Sequence, residues 1–174
     1  MSRGATFAAN VEAPLKLSMR EATDADVPTL TAIDASCFPP EDRYARGLME
    51  DIVHGKFAVD SVDRVSTTLV SSQPGSRESE RVLGFITVAR DKGTGLVVTL
   101  DIHPQWRRRG LGRLLLRAGE TKLREWGVPR VMLTVGSRNT IAQRLYEKEG
   151  YVFMERIRHY YESGDDALAL VKLL

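Results

Sequence analysis

The sequence predicts an α/β fold, a mixed central β-sheet with helices on both faces. Three observations carry this reading. Stretches with strand-like alternation interchange with stretches in which apolar residues recur at helical spacing. Their order is β-α-α-β-β-β-α-β-α-β-β, which permits a mixed sheet covered on both sides. Near the middle of the chain, an apolar run at 96–100 leads into a basic loop with two glycines, which leaves as an amphipathic helix. A chain of 174 residues suits one domain with a real core, and neither an internal repeat nor a second domain is visible. The expectation is a single domain over 16–174.

Residues 1–15 show no clear periodicity and read as a loose N-terminal extension. Residues 17–21 form a short strand. Thr23-Asp24-Ala25-Asp26 resembles a helix start, with Thr23 as cap, acidic residues at the positive end and Pro28 tolerated in the first turn. Leu30, Ala32 and Ile33 give that helix an apolar face, and Phe38-Pro39-Pro40 stops it. A second short helix falls within 41–53, with Tyr44, Leu48, Met49 and Ile52 at helical spacing. Residues 57–70 read as extended, 71–81 as a polar turn or hairpin loop around Pro74-Gly75, and 82–89 as a strand. A hairpin turn at 91–95 then leads to the central strand at 96–102. The helix at 110–126 places Leu111, Leu114, Leu115, Ala118 and Trp126 on one side. A strand at 131–135 precedes a helix at 137–149, with Ser137 as cap, Ile141, Ala142 and Leu145 inward, and Gly150 closing it. Strands at 151–159 and 167–173, joined by a polar turn, complete the chain.

Composition removes several classes of function. The formal net charge of +2 is too small to argue for nucleic acid, and no aromatic platform is interleaved with the arginines. The single cysteine, Cys37, excludes an internal disulfide framework and fits a reducing compartment. The three histidines and one cysteine have no structural-zinc spacing, so no metal is expected. No apolar run approaches the ~20 residues of a membrane span, and the N-terminus lacks the basic-then-apolar pattern of a secretory signal. The expected location is the cytoplasm.

The loop is the most informative stretch. Arg107, Arg108, Arg109, Gly110, Leu111, Gly112 and Arg113 sit where a strand hands over to a helix. Backbone N–H groups converge there, the helix N-terminus adds partial positive charge, and glycines let a ligand approach the backbone. These features suit a diphosphate, although an arginine run can equally be a solvated face and a glycine only a turn. No Gly-Lys-Ser/Thr follows, so this is not a Walker loop, and position 115 is Leu rather than the third Gly of a dinucleotide fingerprint.

Arg107-x-x-Gly110-x-Gly112 resembles the pyrophosphate loop of the GNAT superfamily of acetyl-CoA-dependent N-acyltransferases, whose pattern is Gln/Arg-x-x-Gly-x-Gly/Ala. Further segments follow in the family's order from about residue 17 to the end. Cys37-Phe38-Pro39 is similar to the segment after the first helix of RimI-type protein N-terminal acetyltransferases (ribosomal-protein alanine acetyltransferases). Leu100-Asp101-Ile102-x-Pro104 enters the loop in the family manner. Asn139-x-x-Ala142-x-x-Leu145-Tyr146 with Gly150-Tyr151 resembles the family's last helix, and Arg158-x-Tyr160-Tyr161 with Asp166-Ala167 the RimI-type ending.

The resemblance implies the GNAT fold, acetyl-CoA as co-substrate, and roles for particular residues. The stretch 107–113 would hold the pyrophosphate, mainly through backbone N–H groups. Leu100 and Ile102 would lie beside the pantetheine arm, where parallel strands splay apart, with the Ile102 backbone bonding the acetyl carbonyl. Asn139 would contact the same arm. Tyr146 occupies the position of the thiol-protonating acid; read from the residues alone, a tyrosine following Leu145 on a helix is more often a core residue, and the resemblance reverses that. Tyr160 and Tyr161 would wall the acceptor groove.

The sequence departs from the RimI-type pattern at the base. A Leu-Glu-Val triplet is usual there, and this chain has Leu133-Thr134-Val135; a second family position for a base, early in the central strand, is Leu96. Asp101 is the nearest acidic candidate, with a structural role at the strand end as its alternative. His103 and a water relayed by backbone carbonyls are the other options. An N-terminal amine has a pKa near ~8 and is partly neutral already, so a dedicated base matters less for it than for lysine. The expected activity is acetyl transfer to a primary amine, most simply the α-amine of a protein or peptide N-terminus. A small-molecule amine acetyltransferase and a non-catalytic acyl-CoA-binding module are the alternatives. No membrane or nucleic-acid partner is expected, and the chain could be a monomer or a homodimer.

Overall fold

The computed structural model describes residues 17–56, 65–73 and 81–174. The expected extension at 1–15, residues 57–64 of the extended stretch and residues 74–80 of the polar loop lie outside the described residues. The elements run β1 (Ser18–Glu21), α1 (Val27–Cys37), α2 (Arg46–Val53), β2 (Val65–Gln73), β3 (Arg81–Asp91), β4 (Thr94–Ile102), α3 (Leu111–Glu125), β5 (Arg130–Gly136), α4 (Thr140–Lys148), β6 (Val152–Ile157) and β7 (Ala167–Leu173). This is the order expected from the sequence. The strands form one seven-stranded sheet, β1-β2-β3-β4-β5-β7-β6, in which β4 and β5 are parallel and every other pair antiparallel.

Helices cover both faces. Val27, Leu30 and Ile33 of α1 and Met49 and Ile52 of α2 pack on Val70 and Phe85. Leu115, Leu116 and Leu123 of α3 and Tyr146 of α4 pack on Ile86, Val88, Val131 and Leu133. A Cβ added at Gly119 would stand 2.8 Å from both Ile86 Cδ1 and Val88 Cγ1, so α3 lies directly against β3. No helix of the described residues is long and apolar enough to cross a membrane.

Several local expectations are corrected. Thr23 is the N-cap of a 3-10 turn at Asp24–Asp26 that runs into α1, as expected, but Asp26 completes the capping box and binds Arg20 as well. Its carboxylate accepts from Thr23 N at 2.8 Å, Thr23 Oγ1 at 3.0 Å and two Arg20 nitrogens at 2.7 and 2.9 Å. Tyr44 precedes α2 instead of lying in it, because a 3-10 turn at Pro40–Asp42 delays the helix. Ser71, Ser72 and Gln73 are strand, not loop: they pair with β3, and Ser71 and Ser72 also pair with β1, so backbone ladders override weak strand propensity. The hairpin turn narrows to Lys92-Gly93, both at positive φ, so β4 starts at Thr94. Leu114 is 42% exposed, because the buried face of α3 runs through Leu111, Leu115, Gly119 and Leu123. Ile141 is 77% exposed, and the cap of α4 is Asn139, which accepts from Ala142 N at 3.1 Å, not Ser137.

One irregularity shapes everything that follows. Thr87 faces Thr99 across the β3–β4 ladder, but the next residue, Val88, faces Val97. Val98 is therefore a bulge. Val97 joins the core beneath α3, while Asp101, opposite Phe85, falls on the α1 side.

Candidate active site

The parallel ladder between β4 and β5 is two pairs long, Gly95 with Val131 and Leu96 with Met132. Beyond it β4 stays with β3 as far as Ile102, and β5 stays with β7 as far as Gly136. The two strands diverge, and each leaves one edge of backbone N–H and C=O groups facing the gap. Such groups need partners and are available to a ligand. Leu100 and Ile102 border the gap, half-buried against the α3-side core.

The loop at 107–113 lies just past the end of β4. Arg108 and Gly110 both have left-handed backbones, at φ 63 and 83, which turn successive N–H groups the same way. Gly110 is the N-cap of α3 and no side chain caps that end, so its first N–H groups are left for an outside acceptor. The arginine side chains are largely engaged elsewhere. Arg107 donates Nε to the Ile102 carbonyl at 3.0 Å and Nη2 to the Cys37 sulfur at 3.1 Å. Arg109 stacks on Trp106, 4.9 Å from the ring centroid, and Arg113 pairs with Glu149 at 2.8 Å. With these guanidinium groups engaged, an anion at this loop would meet backbone N–H groups first. Gly112 has a second reason for its missing side chain: a Cβ there would meet Leu145 Cδ2 at 3.2 Å, so it sets the approach of α3 to α4.

The gap brings groups from both faces together. Tyr146 rises from α4 and is buried; burial, then the Asp101 charge, raise its phenol well above the usual tyrosine range. It therefore keeps its proton at neutral pH. Asp101 comes from the α1 side and is 2% exposed, its Oδ2 accepting from Thr99 Oγ1 at 2.8 Å. Burial pushes its carboxyl up to about 7; the Thr99 hydroxyl opposes this, Asp34 adds to it, and Arg107 opposes it again. Asp101 thus changes charge near neutral pH, which an ordinary aspartate does not. The Asp101 charge also reaches Cys37 and Tyr44, raising both after the larger effect of burial.

Tyr160 and Tyr161 lie in the β6–β7 connection, since β6 ends at Ile157 rather than at 159. Their rings meet edge-to-face at 5.0 Å; Tyr160 is 48% exposed and Tyr161 half-buried. Burial, with Tyr160 and Asp42 adding, pushes the Tyr161 phenol up to about 12. Thr134 is exposed, its hydroxyl 3.5 Å from the Tyr160 oxygen. Asp42 accepts from Ser163 N at 3.1 Å, tying the α1–α2 connection to this one. Asn139, exposed at the head of α4, spends its carbonyl on the cap and keeps its amide N–H groups. Sequence reasoning missed Tyr44, Asp34 and Asp42. Tyr44 was hidden by its helical spacing, and the two carboxylates had no motif around them.

Comparison with known proteins places this geometry in context. The profile of the Acetyltransferase (GNAT) family matches residues 30–151. An uncharacterized N-acetyltransferase of Methanocaldococcus jannaschii is 31% identical over 93 residues, which is 53% of this chain and 60% of that protein. An N-alpha-acetyltransferase of Sulfurisphaera tokodaii is 38% identical over 74 residues, covering 42% of this chain and 44% of that protein. The chain thus spans about half the length of these relatives. Among solved structures, Ard1 from Thermoplasma volcanium superposes with a TM-score of 0.76 at 23% identity, over 91% of this chain and 97% of that one.

Proposed function

This chain belongs to the Acetyltransferase (GNAT) family, and on that premise we propose that it is an acetyl-CoA-dependent N-acetyltransferase of the RimI-like branch, acting on the α-amine of a protein or peptide. The observation that carries the reading is the gap between β4 and β5, which sets the Tyr146 phenol and the Asp101 carboxylate beside an open strand edge, with the anion-binding loop at its end. The Cys37-Phe38-Pro39 segment and the Arg158-x-Tyr160-Tyr161 ending support the branch, and an N-alpha-acetyltransferase among the relatives supports the acceptor.

The residues present fit the co-substrate. N–H groups at 108–113 hold the diphosphate, the open edge at Leu100 and Ile102 pairs with the extended arm, and Asn139 donates to it from the other side. Acetyl-CoA supplies the activated acyl group. Tyr160 and Tyr161 flank the acceptor. The neutral amine attacks the thioester carbonyl carbon, and the Ile102 N–H stabilises the oxygen as negative charge builds on it. Asp101 takes the proton that the attacking nitrogen sheds, directly or through one water. The C–S bond breaks, and Tyr146 donates its proton to the departing sulfur. A proton then passes from Asp101 to Tyr146, which resets both groups. Thr134 takes no part in proton transfer.

The test is thiol release from acetyl-CoA with a panel of short peptides, beside polyamines and free amino acids, across pH 5.5–9. Turnover on peptides, lost in Tyr146→Phe, and a wild-type rate that falls below about pH 7 with that limb absent in Asp101→Asn, are the expected results. Turnover on small amines alone would replace the acceptor with a small molecule. An Asp101→Asn enzyme at full rate would remove the base.

A further inference from the structure

Asp34 is an aspartate with no solvent exposure, on the face of α1 that packs against the sheet. Its Oδ2 accepts from Tyr44 N at 3.0 Å, while Oδ1 is buried with no hydrogen-bond partner among the described residues. A carboxylate so placed costs stability, and an alanine or serine would fill the position more cheaply. Its surroundings suggest a reason for it. One helical turn further along, the Cys37 sulfur lies 3.6 Å from the Ile102 carbonyl, which fixes this end of α1 against the end of β4. That is the side of the sheet to which the Val98 bulge directs Asp101.

Resting on the base role given to Asp101 above, we propose that Asp34 is a positioning residue that acts through Asp101. It is a second buried carboxylate, set across the α1–β4 interface, whose charge makes Asp101 hold a proton more strongly. The groups facing the pair support this. On α1 there is the Cys37 thiol, pushed up by burial and so neutral. From the connection before α2 come Arg43 and the Tyr44 phenol, which burial keeps protonated. From α4 comes Tyr146, also protonated. Opposite on β3 is apolar Phe85. The cations are Arg43 toward Asp34 and Arg107 toward Asp101, and both side chains lie at exposed positions. Asp34 and Asp101 are both buried on this side of the sheet, and the Asp34 charge raises the Asp101 carboxyl, after the larger effects of its burial and of the opposing Thr99 hydroxyl. Asp34 itself is raised first by its own burial. With Glu missing at position 134, this is how an aspartate becomes a base matched to an amine near neutral pH.

The test is Asp34→Asn, which keeps the size and an acceptor for Tyr44 N but removes the charge. Two quantities are read: the acid limb of kcat/KM, and the carboxyl carbon shift of Asp101 followed by NMR titration. The expected result moves both midpoints to lower pH, so that the ratio of the rate at pH 6 to the rate at pH 8 rises at least about threefold. A variant with lowered activity but both midpoints unmoved would make Asp34 merely structural and overturn the inference. If Asp101→Asn kept the limb, the base assignment would fail instead. The NMR midpoint in Asp34→Asn would then still decide whether the two carboxylates are coupled.

Discussion

At the residue scale, chemistry is set by what burial does to ordinary side chains. Tyr146 is the clearest case. Removing its hydroxyl leaves the ring, its edge-to-face contact with Tyr151 at 5.6 Å and the fold in place. Tyr146→Phe is expected to lower kcat by about 10²–10³, the scale of a lost general acid, while the acetyl-CoA dissociation constant stays within about twofold. Single-turnover rates beside calorimetric binding separate the two; a raised dissociation constant with unchanged kcat would make the hydroxyl a binding group. The sequence made Tyr146 visible through the spacing Asn139-x-x-Ala142-x-x-Leu145-Tyr146, and the Thr134 departure through its Leu-x-Val frame. It could not show that Asp101 titrates near neutrality. That follows from 2% exposure and from Asp34, a residue 67 positions earlier that only folding brings near. Arg107 was legible as charge but not as geometry, and its guanidinium serves the Ile102 carbonyl and Cys37.

At the scale of elements, the site exists because two regular structures are interrupted. The bulge at Val98 places Asp101 on the α1 side, and the short β4–β5 ladder opens the edge beside it. Neither has a sequence signature here, since Val97, Val98 and Thr99 are all good strand formers and the alternation reads through them unbroken. Element order and helix starts were legible because they depend on local chemistry: periodicity, caps, and Gly-containing turns. Inward faces were less so, and Leu114 and Ile141 are exposed because each lies off the line of contact its helix makes with the sheet. That line is testable on α3. Gly119→Ala forces a methyl to within 2.8 Å of Ile86 and Val88, while helix propensity alone would favour alanine by up to about 1 kcal/mol. Overpacking is expected to win, with a net loss of about 1–3 kcal/mol in urea unfolding. A stabilised variant would mean that α3 stands off the sheet further than these distances state.

At the scale of the whole molecule, the active site and the stability of the fold pull against each other through pH. Asp26 has its carboxyl held low, first by Arg20, so its contribution is present above the unfolded value near 3.8 and is lost as pH falls below that. Asp101 runs the other way. Its folded value of about 7 lies above its unfolded 3.8, so the folded state binds the proton more tightly, and stability falls as pH rises from about 4 to about 7. Above that range the ionised, buried carboxylate costs about 4 kcal/mol relative to a neutral group. Asparagine keeps an acceptor for Thr99 and carries no charge. Asp101→Asn is therefore expected to be inactive or slow yet more stable than the parent, by about 4 kcal/mol at pH 8 and by less than half as much at pH 5. Denaturant unfolding of both proteins at the two pH values measures it. The size of the gain tests burial, and its decline toward acid tests the raised proton affinity. A gain independent of pH would assign the effect to packing alone, and a loss at pH 8 would mean that the carboxylate is held by a cation or a donor stronger than Arg107 and Thr99. A pH-dependent gain would establish that the fold holds this charge at a cost, as expected of a group retained for catalysis.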